Sequence, residues 1–132
     1  MASVACDTNV LPDYFLQRER YKKAGEPLSK TADGLAALYI PLLVILEFER
    51  VLRQYYNVEK PIVIDLIKSI LELPNCEVQD RKLAQAALAL FQEQASVNLD
   101  DCIIALTALD RHVEDFATSD KKLHRLYKSL AG

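Results

Sequence analysis

Apolar positions along this chain come in two rhythms, short continuous runs and stripes at helical spacing, and the two alternate from one end to the other. The run Val4-Ala5-Cys6 predicts a buried strand. Residues 11–21 read as a helix or helical turn, with Tyr14 and Phe15 apolar and Arg18, Glu19 and Arg20 solvated. Gly25-Glu26-Pro27 breaks it, and residues 29–34 form a polar connector. Residues 35–40 predict a second strand. Pro41 then suits the first turn of a helix reaching Tyr56. The stripe on that helix is Val44, Phe48, Val51, Leu52 and Tyr55, with Glu49 and Arg53 well away from it. Pro61 opens a helix over 62–73, which Pro74-Asn75 ends. Cys76-Glu77-Val78 is a short strand, and 81–94 is a helix rich in Ala and Leu. Asn98 starts the next helix, to about His112. Phe116-Ala117 predicts a last strand, ending in Thr118-Ser119-Asp120, and a basic amphipathic helix over 121–130 follows.

Strands alternating with helices predict an α/β fold with a parallel sheet covered on both faces. The length, 132 residues, suits a single domain spanning 1–132. A composition 51% hydrophobic and 27% charged is that of soluble globular proteins. No apolar run approaches the roughly 20 residues that cross a bilayer, and Met1-Ala2-Ser3 lacks the layout of a signal peptide. Cys6, Cys76 and Cys102 lie in apolar stretches without a CxxC pair, as reduced core residues of a cytoplasmic protein do. The net charge of −3 gives the whole molecule no general attraction for nucleic acid. Phosphates would have to meet a local basic patch or a metal.

Four acids change this picture. Asp7 follows the first strand, at the edge where open α/β sheets bind ligands. Asp120 follows the last predicted strand. Glu47, three residues after Val44 and four before Val51, borders the apolar stripe, where a carboxylate is costly unless paired or metal-bound. Asp101 shares a helical face with Ile104, Ala105 and Ala108, whereas Asp100, about 100° away around the helix, points with Thr107 and Arg111. Each acid alone also has a plain structural reading. Asp7 or Thr8 and Asp120 can cap helices, Asn98-x-x-Asp101 is a capping-box pattern, and Glu47 can pair with a lysine or arginine. Taken together, they share one edge of an α/β sheet. Clustered carboxylates repel and need a cation. Oxygen ligands without histidine or thiolate suit Mg²⁺ or Mn²⁺.

With these pieces in place the chain resembles PIN-domain nucleases. The matching stretches are Asp7-Thr8-Asn9-Val10-Leu11, Ile40-Pro41-Leu42 through Glu47, Leu99-Asp100-Asp101-Cys102-Ile103-Ile104-Ala105 and Ala117-Thr118-Ser119-Asp120. They follow the family's order over nearly the whole chain. The size and the stretch from Glu47 to Arg53 most resemble the VapC toxins of bacterial toxin–antitoxin pairs. The resemblance implies a three-layer α/β/α fold around a parallel sheet of four to five strands, in order 3-2-1-4-5. It implies metal ligation by Asp7, Glu47, Asp101 and Asp120, with Asn9 and Thr118 holding those acids. It implies Mg²⁺- or Mn²⁺-dependent RNA cleavage, an antitoxin that blocks the site, and a homodimer. The chain departs from the family in ending soon after its closing helix, so a fifth strand is not evident.

Arg50, Lys121, Lys122 and Arg125 are candidates for holding the RNA backbone, against the plain alternative of a solvated helix face. A non-catalytic PIN-fold module that binds RNA or protein is the competing class, and the presence of all four acids argues against it. A phosphatase or phospho-acceptor receiver would need a further acid beside Asp7, where the chain has Asn9 two positions on.

Overall fold

The structure, a computed structural model, describes residues 2–8, 11, 36–114 and 116–132. The helix predicted over 11–21, the break at Gly25–Pro27, the connector 29–34 and the candidate Asn9 lie outside them, apart from Leu11, which is buried. The described chain divides into two compact units, Met1–Arg81 and Lys82–Gly132.

In the first unit, β1 (Ala2–Ala5), β2 (Ala36–Ile40) and β3 (Cys76–Val78) form a parallel sheet in the order β1-β2-β3. The register sets Val4 against Leu38 and Leu38 against Cys76. Parallel neighbours need long crossovers. The one from β2 to β3 is carried by α1 (Leu42–Arg50), a π-helical turn (Val51–Tyr55) and α2 (Lys60–Leu71). Leu38 and Ile40 on the central strand are buried together with Phe48, Leu52, Val63, Ile67 and Ile70 from those helices. Asn57 and Asn75, the residues at which the two helical stretches were predicted to stop, have φ of 54° and 56°. Asparagine tolerates that left-handed conformation better than most residues.

The second unit contains α3 (Arg81–Glu93), which begins at the end of the first, then α4 (Leu99–Asp110) and α5 (Lys121–Ala131). Five predicted helices are therefore present within a few residues of their predicted bounds, and the three strands match the 3-2-1 half of the expected order. The expected sheet of four to five strands is not reached: three strands form among the described residues. Phe116-Ala117 is not a strand. Side chains fix this segment instead of ladder bonds. The Tyr127 hydroxyl donates to the Val113 carbonyl at 2.6 Å, and the Phe116 and Tyr127 rings lie 5.1 Å apart. Tyr127 is buried, so α5 anchors the approach to Asp120.

The stripe on α1 also needs correcting. The buried set is Val44, Ile45, Phe48, Glu49 and Leu52. Ile45, Phe48, Glu49 and Leu52 stand at i, i+3, i+4 and i+7, so the helix is rotated by about one residue from a stripe counted on Val44. The π turn, in which the Tyr56 amide reaches the Val51 carbonyl five residues back, widens the last turn and leaves Tyr55 76% exposed. Glu49, predicted to lie well away from the apolar stripe, is buried. Arg53, one turn on, meets it at 2.8 Å.

Candidate functional site

Asp7 lies two residues beyond β1, past the carboxyl end of the strand, and is exposed. Its Oδ1 accepts the Thr8 amide at 2.7 Å. Thr8 is buried at 6% exposure, and its hydroxyl donates to Glu47 Oε2 at 2.5 Å. One residue thus ties the two acids of the first unit together, although 39 positions separate Thr8 from Glu47. The start of α1 is fixed from the same sheet edge. Gln79, just after β3, accepts the Leu42 amide on its side-chain oxygen at 3.0 Å, supplying the cap that Pro41 lacks. Glu47 lies in the second turn of that helix with its carboxylate exposed, flanking the buried stripe rather than entering it. Cys6, just before Asp7, is buried. Burial, assisted by Cys76 and Asp7, pushes its thiol up to about 12, so it is inert packing.

In the second unit the acids bond locally. The Asn98 amide donates to Asp101 Oδ2 at 3.1 Å, and the Asp101 amide donates to Asp100 Oδ1 at 2.9 Å. Asp101 is half-buried. The packed face of α4 is Leu99, Cys102, Ile103 and Ala105, while Ile104 is 44% exposed. Asp101 therefore stands at the margin of the packing, the interior edge predicted for it, although Ile104 of the predicted face is exposed. Asp100 is half-buried too. Desolvation raises the Asp101 carboxyl above its ordinary value. The Asn98 amide opposes that rise, and the charges of Asp100 and Asp120 add to it. Asp120 is the N-cap of α5, its Oδ1 accepting the amides of Lys122 at 2.9 Å and Leu123 at 3.3 Å. Thr118 Oγ1 accepts the Asp120 amide at 3.0 Å, so Thr118 holds the backbone of this acid and not its carboxylate.

Arg50 lies exposed in the last turn of α1, and Lys121, Lys122 and Arg125 are exposed on α5. Among the described residues, no group of three acids, histidines or cysteines is arranged to hold a metal ion. The donor set nonetheless suits a hard divalent cation. Every candidate ligand is a carboxylate oxygen, and the rise at Asp101 is the repulsion and burial that a cation relieves. The residue that sequence reasoning undervalued is Thr8, weighed there only as a possible cap. Its signal was a hydroxyl next to an acid after an apolar strand, but its partner is remote in sequence.

No helix among the described residues is long and apolar enough to cross a membrane. No curated protein matches the chain. The pattern of the PIN domain matches residues 4–129, across both units, and the α/β class with its parallel sheet fits that family's three-layer α/β/α fold. The chain belongs to the PIN-domain family.

Proposed function

We propose that this PIN domain is a divalent-metal-dependent endoribonuclease and the toxin of a VapC-type toxin–antitoxin pair. PIN domains are commonly metal-dependent nucleases. The observation that carries the reading here is the Thr8 bridge. A buried hydroxyl donates to Glu47 while the adjoining amide donates to Asp7, an arrangement that orients two carboxylates and that capping alone does not require. In this reading Asp7, Glu47, Asp101 and Asp120 are the ligands of Mg²⁺ or Mn²⁺. The ion supplies a lowered pKa for an attacking water and neutralises charge on the phosphate oxygens.

The chain's own residues do the rest. Thr8 fixes the Glu47 carboxylate and the turn that carries Asp7. Asp120 spends Oδ1 on the α5 cap, and Oδ2 is left for a ligand. In this reading the cations Arg50, Lys121, Lys122 and Arg125 hold the RNA backbone. Water attacks phosphorus in line, and the ribose 3′-oxygen leaves, giving 5′-phosphate and 3′-hydroxyl ends. The same reading places the protein in the cytoplasm. Its antitoxin partner blocks the acids with a basic side chain, and the toxin pairs with a second copy of itself.

The test is cleavage of a mixed RNA pool by the purified chain with Mg²⁺ or Mn²⁺, against the same reaction in EDTA. Cleavage that EDTA does not touch overturns the metal mechanism. Growth arrest on expression, relieved by a small protein encoded next to this one, tests the toxin assignment separately. The alternative is a non-catalytic PIN-fold module binding RNA or protein. It draws on the lack of a ready three-residue metal group among the described residues. RNA binding without cleavage under all metal conditions would favour it.

A further inference from the structure

The basic face of α5 borders a half-open groove of about 250 Å³ within the second unit. Its walls are Gln94 and Ser96, just past α3, and Lys122, Arg125 and Ser129 on α5. Val97 and Leu126, both buried, form its floor. No acid lines it. Lys122 and Arg125 are exposed and form no ion pair among the described residues. Lys122 also stands in the first turn of α5, where the helix macrodipole disfavours a cation. The helix gains nothing from it there, but an anion would.

We propose that this groove is a subsite for one nucleotide of the RNA, which makes it a determinant of where the chain is cut. The phosphate lies on Lys122 and Arg125, one turn apart on the same side of α5, with Arg125 offering a planar fork for phosphate oxygens. The base covers the Val97–Leu126 floor. The Ser129 hydroxyl already donates to the Leu126 carbonyl at 3.0 Å, so towards a ligand it presents lone pairs and accepts from an amino or imino edge. Ser96 has no hydrogen-bond partner among the described residues and can donate or accept. The space far exceeds the roughly 30 Å³ share of one water. It falls short of the roughly 300–1,000 Å³ of pockets for drug-sized ligands, which suits a single nucleotide. Arg125 is five residues beyond Asp120, a rise of about 7.5 Å along the helix, so the nucleotide held here neighbours the one whose phosphate is cut.

This inference rests on the ribonuclease reading for its place in catalysis, and the test separates the two. The four ribonucleoside 5′-monophosphates, their parent nucleosides and inorganic phosphate are titrated into the full chain in EDTA, with amide shifts followed by NMR. The monophosphates should move the amides of Ser96, Val97 and Ser129 and bind about tenfold or more tighter than phosphate or nucleoside. The double variant Lys122→Ala/Arg125→Ala should weaken them by at least about tenfold, the scale of a lost charge-assisted hydrogen bond. Both side chains are exposed, and an unchanged melting temperature verifies folding. Ser129→Ala should reorder the preference among the four bases while inorganic phosphate binds as before. Equal affinity for phosphate and monophosphates overturns the base-binding half, and wild-type affinity in the double variant overturns the whole. If RNA is never cleaved but monophosphates still bind in this way, the ribonuclease reading fails and the groove stands.

Discussion

The two units hold their candidate acids by different means. In Met1–Arg81, Asp7 and Glu47 are joined through Thr8, by a contact that spans 39 positions and uses a buried hydroxyl. In Lys82–Gly132, Asp101 and Asp120 bond to amides within three residues of themselves, at the starts of α4 and α5. Any helix start benefits from an acid there, so capping alone accounts for the geometry of the second pair. A long-range bond to an exposed glutamate adds only about 1 kcal/mol of stability and is best understood as positioning. The electrostatics point the other way: at Asp101 burial and the charges of Asp100 and Asp120 resist ionisation. Orientation is thus the mark of the first pair, and in the second unit Asp101 carries a cost of charge.

The largest effect should fall on the oriented pair. Asp7→Asn or Glu47→Gln should lower RNA cleavage by more than about 100-fold, since loss of even a residue that supports a metal ligand costs about 10–100-fold. Both carboxylates are exposed, so the melting temperature of the metal-free protein should barely move. Cleavage rates and thermal melts on the same preparations check this. Near-wild-type cleavage by Asp7→Asn would leave the Thr8 bridge without a catalytic purpose.

The next effect down contrasts the two threonines. Thr8→Val removes the hydroxyl bonded to Glu47 and should cost about 10–100-fold in cleavage or in metal affinity. In stability it should cost about 1 kcal/mol, because the exposed Glu47 oxygen turns to water. Thr118→Ala loses only a bond to the Asp120 backbone amide and should change cleavage a few-fold at most. Equal effects at the two sites would erase the distinction between a contact that orients a carboxylate and one that shapes a turn.

That distinction also marks what was legible in the sequence. Helices came through because their stripes and breakers are local: Pro61, Asn75 and Asn98 mark ends or starts that the chain observes within a few residues. The capping positions of Asp101 and Asp120 at helix starts came through for the same reason. Glu49 was misjudged because the stripe on α1 can be counted from Val44 or Ile45, and only packing decides between them. The π turn has no local signature in Val51–Tyr55 and shifts Tyr55 outward. Phe116-Ala117 looked like a strand because apolar pairs after a polar stretch often are, but Tyr127 claims that segment through its ring and hydroxyl. The Thr8–Glu47 bond belongs to tertiary structure, and no spacing rule reaches it.

A third effect is a change in the pH dependence of stability. The Asp101 carboxyl is raised above its ordinary value of 3.8 by burial and by Asp100 and Asp120. The folded form therefore binds more protons than the unfolded form between those two values. Stability must fall as pH rises from 3.8 through the raised value. Metal-free Asp101→Asn should lack that decline and melt higher than wild type at neutral pH, because asparagine can still accept the Asn98 amide. Mg²⁺ or Mn²⁺ should raise the wild-type melting temperature by binding the folded state. The Asp7→Asn/Asp120→Asn double variant should show no such rise. Melts across pH, with metal and with EDTA, decide it. An equal metal response in wild type and double variant would remove the carboxylates from the site.

The smallest effect separates the cap that Asp120 forms from the metal ligation proposed for it. As an N-cap its Oδ1 accepts two amides, and asparagine caps about as well as aspartate whereas alanine does not. Asp120→Ala should thus cost about 1 kcal/mol of stability, within the roughly 0.5–2 kcal/mol of lost caps. Asp120→Asn should cost only a few tenths, the scale of one charge removed from the positive end of a helix dipole. Cleavage should not follow stability. Both variants lose the charge that a divalent ion needs, so both should lose most of their activity. Denaturant melts and cleavage rates on the two variants read these effects separately. If Asp120→Asn keeps full activity while Asp120→Ala loses it in step with stability, Asp120 is a cap alone. Its pairing with Asp101 would then no longer mark a second half of the site.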